Sequence, residues 1–250
     1  MATDFLTLMA VGFMAQLVDG ALGMAFGVIA SATLLVVGLP PAQASAAVHA
    51  AEIATTGASG LSHLLHRNVD RRLLLALGVF GVLGGITGAW ILSNIDGWTI
   101  RPFVNIYLLL VGAAILVRAI RDSRRDRPTS PGLAAPLGFV GGLLDAVGGG
   151  GWGPLVTSSL IGSGHAPRKV IGTVNTAEFF VTVAISTTFL LQLGAQHVPT
   201  VLALMAGGVL AAPLGAALVR HLRPRLLMAM VGTLVCALSL VQLATYPWRS

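Results

Sequence analysis

The chain has 250 residues, of which 55% are apolar and only 10% charged, with a formal net charge of +6. Soluble domains carry about 45–50% apolar and about 25% charged residues, so a water-soluble globule of this length could not hide its apolar surface. Composition therefore predicts an all-α integral membrane protein surrounded by membrane lipids. The basic residues fall in short gaps between apolar runs, as topology signals do, which excludes nucleic acid as a partner.

In chain order, the first apolar segment covers about residues 5–39. Its start, Met1–Leu8, has Asp4 and no basic residue, unlike a cleavable signal peptide, so the segment is expected to stay as structure. It is longer than one span and shorter than two, and glycines break it within Gly12–Gly27 (GFMAQLVDGALGMAFG). A bilayer-spanning helix needs about 20 mostly apolar residues, and runs at 43–65, 73–95 and 100–120 qualify. Arg118–Pro131 is the strongly polar stretch. It places a basic cytoplasmic linker at 121–132, between a first membrane repeat over 1–120 and a second over 133–250. A second glycine-broken segment covers about 133–163 and contains Gly138–Gly153 (GFVGGLLDAVGGGGWG). Gly148–Gly151 are a poor helix interior, at about 1 kcal/mol per residue against alanine. Each broken segment reads as two half-helices meeting at a turn. Three further spans follow at 169–193, 198–219 and 224–246. Pro102 and Pro224 are expected in first helical turns, where proline costs little. Cys236 is the sole cysteine and lies in an apolar run, so neither an intrachain disulfide nor a cysteine metal cluster can form.

The two halves align. A shift of 126 residues maps Gly12, Phe13, Asp19, Gly23 and Gly27 onto Gly138, Phe139, Asp145, Gly149 and Gly153. The register runs on without a gap through Pro41/Pro167, Glu52/Glu178 and Thr56/Thr182, giving 13 identities in 45 positions. Apolar bias does not readily align an Asp and a Glu, both scarce here. Loop charge then bears on orientation. Eight full spans would make the repeat parallel and divide the basic residues nine to six. Re-entrant hairpins leave three spans per half and invert the second half. Thirteen basic residues then share one side, against Arg101 and Arg249 on the other. The expected fold is two inverted repeats, each a re-entrant hairpin plus three transmembrane helices, with the parallel arrangement as the alternative.

Asp19, Glu52, Asp145 and Glu178 lie at membrane depth, where ionisable residues are costly and mark function. His49 precedes Glu52 by three residues, on one helix face, and Asn175 holds the matching place before Glu178. The spacing predicts a polar cavity between the halves, where broken helices present backbone N–H groups to an anion. Gly23 and Gly149–Gly151 allow close approach, and Phe26 and Trp152 wall the site. Gln16, His49, Thr173 and Asn175 are candidate donors, and the acids are candidate proton carriers. The acids have a second, structural reading as acceptors for the turn amides. The small-residue face Gly81, Gly84, Gly85 and Gly88 is expected to pack helices closely. The motifs HExxH, GxSxG and GxxxxGK[ST] are absent, as is any zinc-spaced histidine cluster. No enzyme activity, cofactor or metal is expected.

At these residues the chain resembles the TauE/SafE family of sulfite exporters and related permeases. The second copy carries the pattern, from Gly138-Phe139-Val140-Gly141-Gly142 through Gly148–Gly151 to Pro154. The first copy departs from it, with Gln16 in the place of Gly142 and Met24-Ala25 in place of a glycine pair. The resemblance implies a secondary transporter in the bacterial plasma membrane that exports sulfite or an organosulfonate. A passive anion channel and a homo-oligomer remain open at this point.

Overall fold

The structure is a computed structural model that describes residues 5–22, 24–120, 133–162, 167–195, 197–218 and 224–247. The expected linker at 121–132 and Gly23 lie outside the described residues. Helices in chain order are α1 (Phe5–Leu22), α2 (Phe26–Val37), α3 (Pro41–Leu65), α4 (Arg71–Asn94), α5 (Gly97–Ile120) and α6 (Ala134–Gly148). A π turn, Gly153–Thr157, leads into α7 (Ser158–Gly162), followed by α8 (Pro167–Leu193), α9 (Val198–Leu218) and α10 (Pro224–Thr245). Among the described residues there is no strand.

Among the described residues, four helices are both long and apolar enough to cross a membrane: Arg71–Asn94, Gly97–Ile120, Lys169–Leu193 and Arg225–Thr245. The expected span at 43–65 is also helical, and that at 198–219 is helical over its described residues, to Leu218. However, α3 carries Ser45, His49, Glu52 and Thr55 on a face buried in protein rather than in lipid. The four spans instead turn leucine, valine and phenylalanine outward; Leu75, Phe103 and Leu191 are well exposed, as a lipid-facing surface requires. The chain is a multi-pass membrane protein.

The two glycine-broken segments do not break into equal halves. The first is an 18-residue and a 12-residue helix. The second is a 15-residue helix followed by the π turn and a five-residue helix. The second segment doubles back on itself, because Val156 lies beside Gly141. α5 also begins earlier than expected, at Gly97, where the Asp96 carboxylate accepts from Thr99 N (2.9 Å) and Thr99 Oγ1 (3.1 Å). Pro102 therefore sits inside the helix. Its missing N–H leaves the carbonyl four residues back without the usual donor. That carbonyl, Trp98 O, accepts instead from the Tyr246 hydroxyl at 3.0 Å.

The halves exchange partners. α1 packs along α9 and α6 along α4, while α3 pairs with α8 and α5 with α10. Glycine makes these contacts possible. A Cβ at Gly84 would run into the Phe139 backbone, one at Gly142 into Gly81, and one at Gly12 into Leu204. Such backbone contact is how helices associate where lipid supplies no hydrophobic drive. α6 runs in the same direction as α4, with Gly138 beside Leu77 and Gly88 beside Leu143.

Side-chain contacts define the two ends of the bundle. At one, Lys169 Nζ donates to Arg67 O (2.9 Å) and Thr173 Oγ1 accepts from Asp70 N (2.8 Å). At the other, Arg101 donates to Leu35 O (2.6 Å) and Gln242 Oε1 (3.1 Å). Lys169 thus lies at the end occupied by the Arg67–Arg72 loop, and Arg101 does not.

Candidate functional site

The turns of both broken segments meet at the centre of the bundle. The tip of the first, at Gly27, touches the tip of the second, at Gly150. A Cβ on Gly27 would lie 2.7 Å from Gly150 Cα and 3.0 Å from Glu52 Oε1. Around this contact runs a narrow cleft with a cavity volume of about 10 Å³, room for about one water. All four membrane-depth acids, Asp19, Glu52, Asp145 and Glu178, line it together with Phe26, Gly150, Gly151 and Trp152. The sequence draws these residues from five helices and the turn at 150–152, and the fold brings them together. Among the described residues, no basic side chain lines the cleft.

The two aspartates cap the turns in the same way. One carboxylate oxygen of Asp19 accepts from Ala25 N (2.6 Å) and Phe26 N (3.2 Å). One oxygen of Asp145 accepts from Gly151 N (2.7 Å) and Trp152 N (3.0 Å). Each aspartate bonds the amides six and seven residues ahead, so the internal repeat persists at the level of single bonds. These amides open a helical segment, where an anion is favoured by unpaired donors and by the helix dipole. The chain fills both positions with its own carboxylates. Two of the amides expected to face a ligand at each turn are therefore already engaged, and the structural reading of the aspartates describes these contacts.

Asp145 has a partner that Asp19 lacks. His49 Nε2 lies 3.2 Å from Asp145 Oδ2, and both side chains are buried. The other ring nitrogen, His49 Nδ1, lies 2.8 Å from Ser45 O, which can only accept. Ser45 Oγ in turn donates to Ala146 O (2.6 Å). Both imidazole nitrogens thus have oxygen partners, Asp145 Oδ2 on one side and Ser45 on the other. Asn175, the counterpart of His49, instead donates to Ser59 Oγ (3.1 Å). Among the described residues, the carboxyl groups of Glu52 and Glu178 have no hydrogen-bond partner.

The second turn is braced more fully than the first. Gly149 is left-handed (φ 65°), closes α6 through Gly149 N to Asp145 O (2.7 Å), and accepts from Ser31 Oγ (2.9 Å) through its carbonyl. Trp152 is fully buried, and its indole N–H donates to Val174 O (3.2 Å). The Tyr107 ring packs on Gly148, and its hydroxyl on Gly151.

Other candidates lie outside the cleft. Thr173 is at the Lys169 end, bonded to Asp70 N. Gln16 is buried beside Gly208, its Oε1 without a partner. His49 and Gly149 stand behind the lining, supporting it. The lining also contains Met24, Ala25, Gly27, Val28, Gly153 and Pro154, which the sequence reading did not select. Gly27 and Gly153 carried a signal, since the repeat matches them. Among the described residues, no three of His, Cys, Asp and Glu converge to hold a metal ion.

A family profile described as "Sulfite exporter TauE/SafE" matches residues 8–241. The chain is 42% identical over 230 residues to the "Probable membrane transporter protein YtnM" of Bacillus subtilis (strain 168). That similarity covers 89% of this chain and 77% of the relative. No solved structure matches the chain.

Proposed function

Because this chain belongs to the sulfite exporter TauE/SafE family and is a membrane transporter, we propose that it exports a small sulfur-containing anion, sulfite or a sulfonate, with protons carried on Glu52 and Glu178. One observation carries the reading. Both glutamates reach a central cleft without a hydrogen-bond partner, while the neighbouring aspartates are tied to the turn amides. A cleft lined by carboxyl groups and no cation repels an anion. A proton on each glutamate removes that repulsion and adds an O–H donor to the site. Anion and protons then occupy the cleft together, so flux is coupled to the proton gradient, and export runs where the outward anion gradient exceeds the opposing inward proton gradient.

The proposal includes an inverted arrangement of the two halves, with the Arg67–Arg72 loop and Lys169 on the cytoplasmic side. The bond from Lys169 to Arg67 O supports it, as does the thirteen-to-two division of basic residues. Inverted halves meeting at broken helices suit alternating access around a central site.

The test is sulfite flux into liposomes containing the purified protein, with and without an imposed pH gradient. Flux should rise when protons and anion move in the same direction. Glu52→Gln and Glu178→Gln should each abolish that dependence while folded protein is retained. Flux indifferent to the gradient would identify a passive anion channel instead. Cysteines placed at Arg71 and Lys169 should label from one side of the membrane; labelling from opposite sides would overturn the inverted arrangement.

A further inference from the structure

At the Lys169 end, away from the cleft, a groove with about 1170 Å³ of open space lies between the end of α3, the start of α4 and the start of α8. Its polar rim is Arg67, Arg71 and Lys169, and its apolar wall is Leu64, Leu74 and Leu75. Among the described residues, no carboxylate pairs with any of the three cations. Asp70, the acid on this loop, caps α4, its carboxylate accepting from Arg72 N (2.9 Å) and Leu73 N (3.2 Å). Lys169 is held in place by Arg67 O at 2.9 Å and Val69 O at 3.5 Å, which leaves its charge uncompensated.

We infer that this groove binds an anionic phospholipid, with the headgroup phosphate between Arg67, Arg71 and Lys169 and an acyl chain along the leucines. The cations alone would suit any anion. The leucines decide between occupants: Leu64 is 48% exposed and Leu75 67% exposed, directly beside the basic rim. A free inorganic anion gains nothing from them. A lipid needs charge at the headgroup level and an apolar wall below it, and helices near the membrane surface offer that order. The lipid would bridge the α3–α4 loop to α8, helices that carry Glu52 and Glu178.

The experiment uses the full chain, purified and stripped of lipid. Binding is read by native mass spectrometry and by thermal stability with added phosphatidylglycerol, phosphatidylcholine or inorganic phosphate. Phosphatidylglycerol should remain bound and raise the midpoint of unfolding, while the other two should not. The double variant R67Q/R71Q should bind phosphatidylglycerol roughly thirtyfold more weakly, about the effect of two basic residues at an anionic surface. R67K/R71K should restore most of it. Leu75→Ser should weaken phosphatidylglycerol binding as well. Equal retention of phosphatidylcholine would overturn the inference, as would an equal stability gain from inorganic phosphate, or unchanged phosphatidylglycerol binding in R67Q/R71Q. These readouts require no transport, so they stand apart from the flux test.

Discussion

Replacing each turn aspartate with alanine separates two sites that the sequence makes equivalent. Asp19→Ala removes the acceptor for two amides, Ala25 N and Phe26 N. Asp145→Ala removes the acceptor for Gly151 N and Trp152 N and also strips His49 Nε2 of its partner. Hydrogen bonds to a charged group contribute about 1.5–3 kcal/mol, and breaking a buried ion pair costs about 3–5 kcal/mol. Asp19→Ala should therefore destabilise by roughly 3–6 kcal/mol, the sum of two such bonds, and Asp145→Ala by roughly 3–5 kcal/mol more, from the His49 contact. Denaturant unfolding of the detergent-solubilised protein, followed by far-ultraviolet circular dichroism, gives the two values. His49→Ala then completes a double-mutant cycle. With Asp145 present it should cost about 3–5 kcal/mol, and in Asp145→Ala clearly less, because only its packing and its contact with Ser45 O remain to be lost. Equal costs at the two aspartates would refute the His49 asymmetry, and so would additivity of His49→Ala with Asp145→Ala.

Glycine contacts supply a graded test. Gly84→Ala should destabilise by about 1–3 kcal/mol, the usual cost of overpacking, because its Cβ would meet the Phe139 backbone. Gly78→Ala, one helical face away with nothing within 4 Å, should be neutral or up to about 1 kcal/mol stabilising in the same unfolding assay. Gly150→Ala would put a Cβ into the backbone of Gly27 and Val28. It should separate the two turns and lower the maximal rate of sulfite flux at least tenfold, with the helical content unchanged. Outside the membrane, hydrogen bonds from Thr99 hold the Asp96 carboxyl below the ordinary aspartate range. A depressed folded value means that its support of α5 is complete above the ordinary range and is lost as pH falls through the lower value. Asp96→Asn should flatten that part of the acid limb in a plot of unfolding midpoint against pH.

The repeat was legible because acids are rare in so apolar a chain. Asp19 and Asp145 align, and the fold gives them the same two bonds at the same offsets. The central cleft was legible for the same reason, and it holds all four acids. Thr173 was misplaced by helix phase. It lies five residues from Glu178, about 140° around the helix at 100° per residue, and so faces the 66–70 loop. The His49–Asp145 pair joins residues 96 apart in sequence. Helix periodicity cannot show such a contact, because it depends on how the halves dock. The early start of α5 was hidden by Pro102, whose cost is offset by a tyrosine hydroxyl from the far end of the chain.

The exchange of helices between halves orders events during synthesis. When α6 leaves the ribosome, α4 is already made. When α1 leaves it, α9 lies on the order of 10–35 s ahead, at about 5–20 residues per second. The second half therefore closes on a waiting partner. The first helix must instead hold the glycine face around Gly12 open to lipid, or to the insertion machinery, until nearly the whole chain is complete. Chains that stop before Val198 would carry an unmatched first helix.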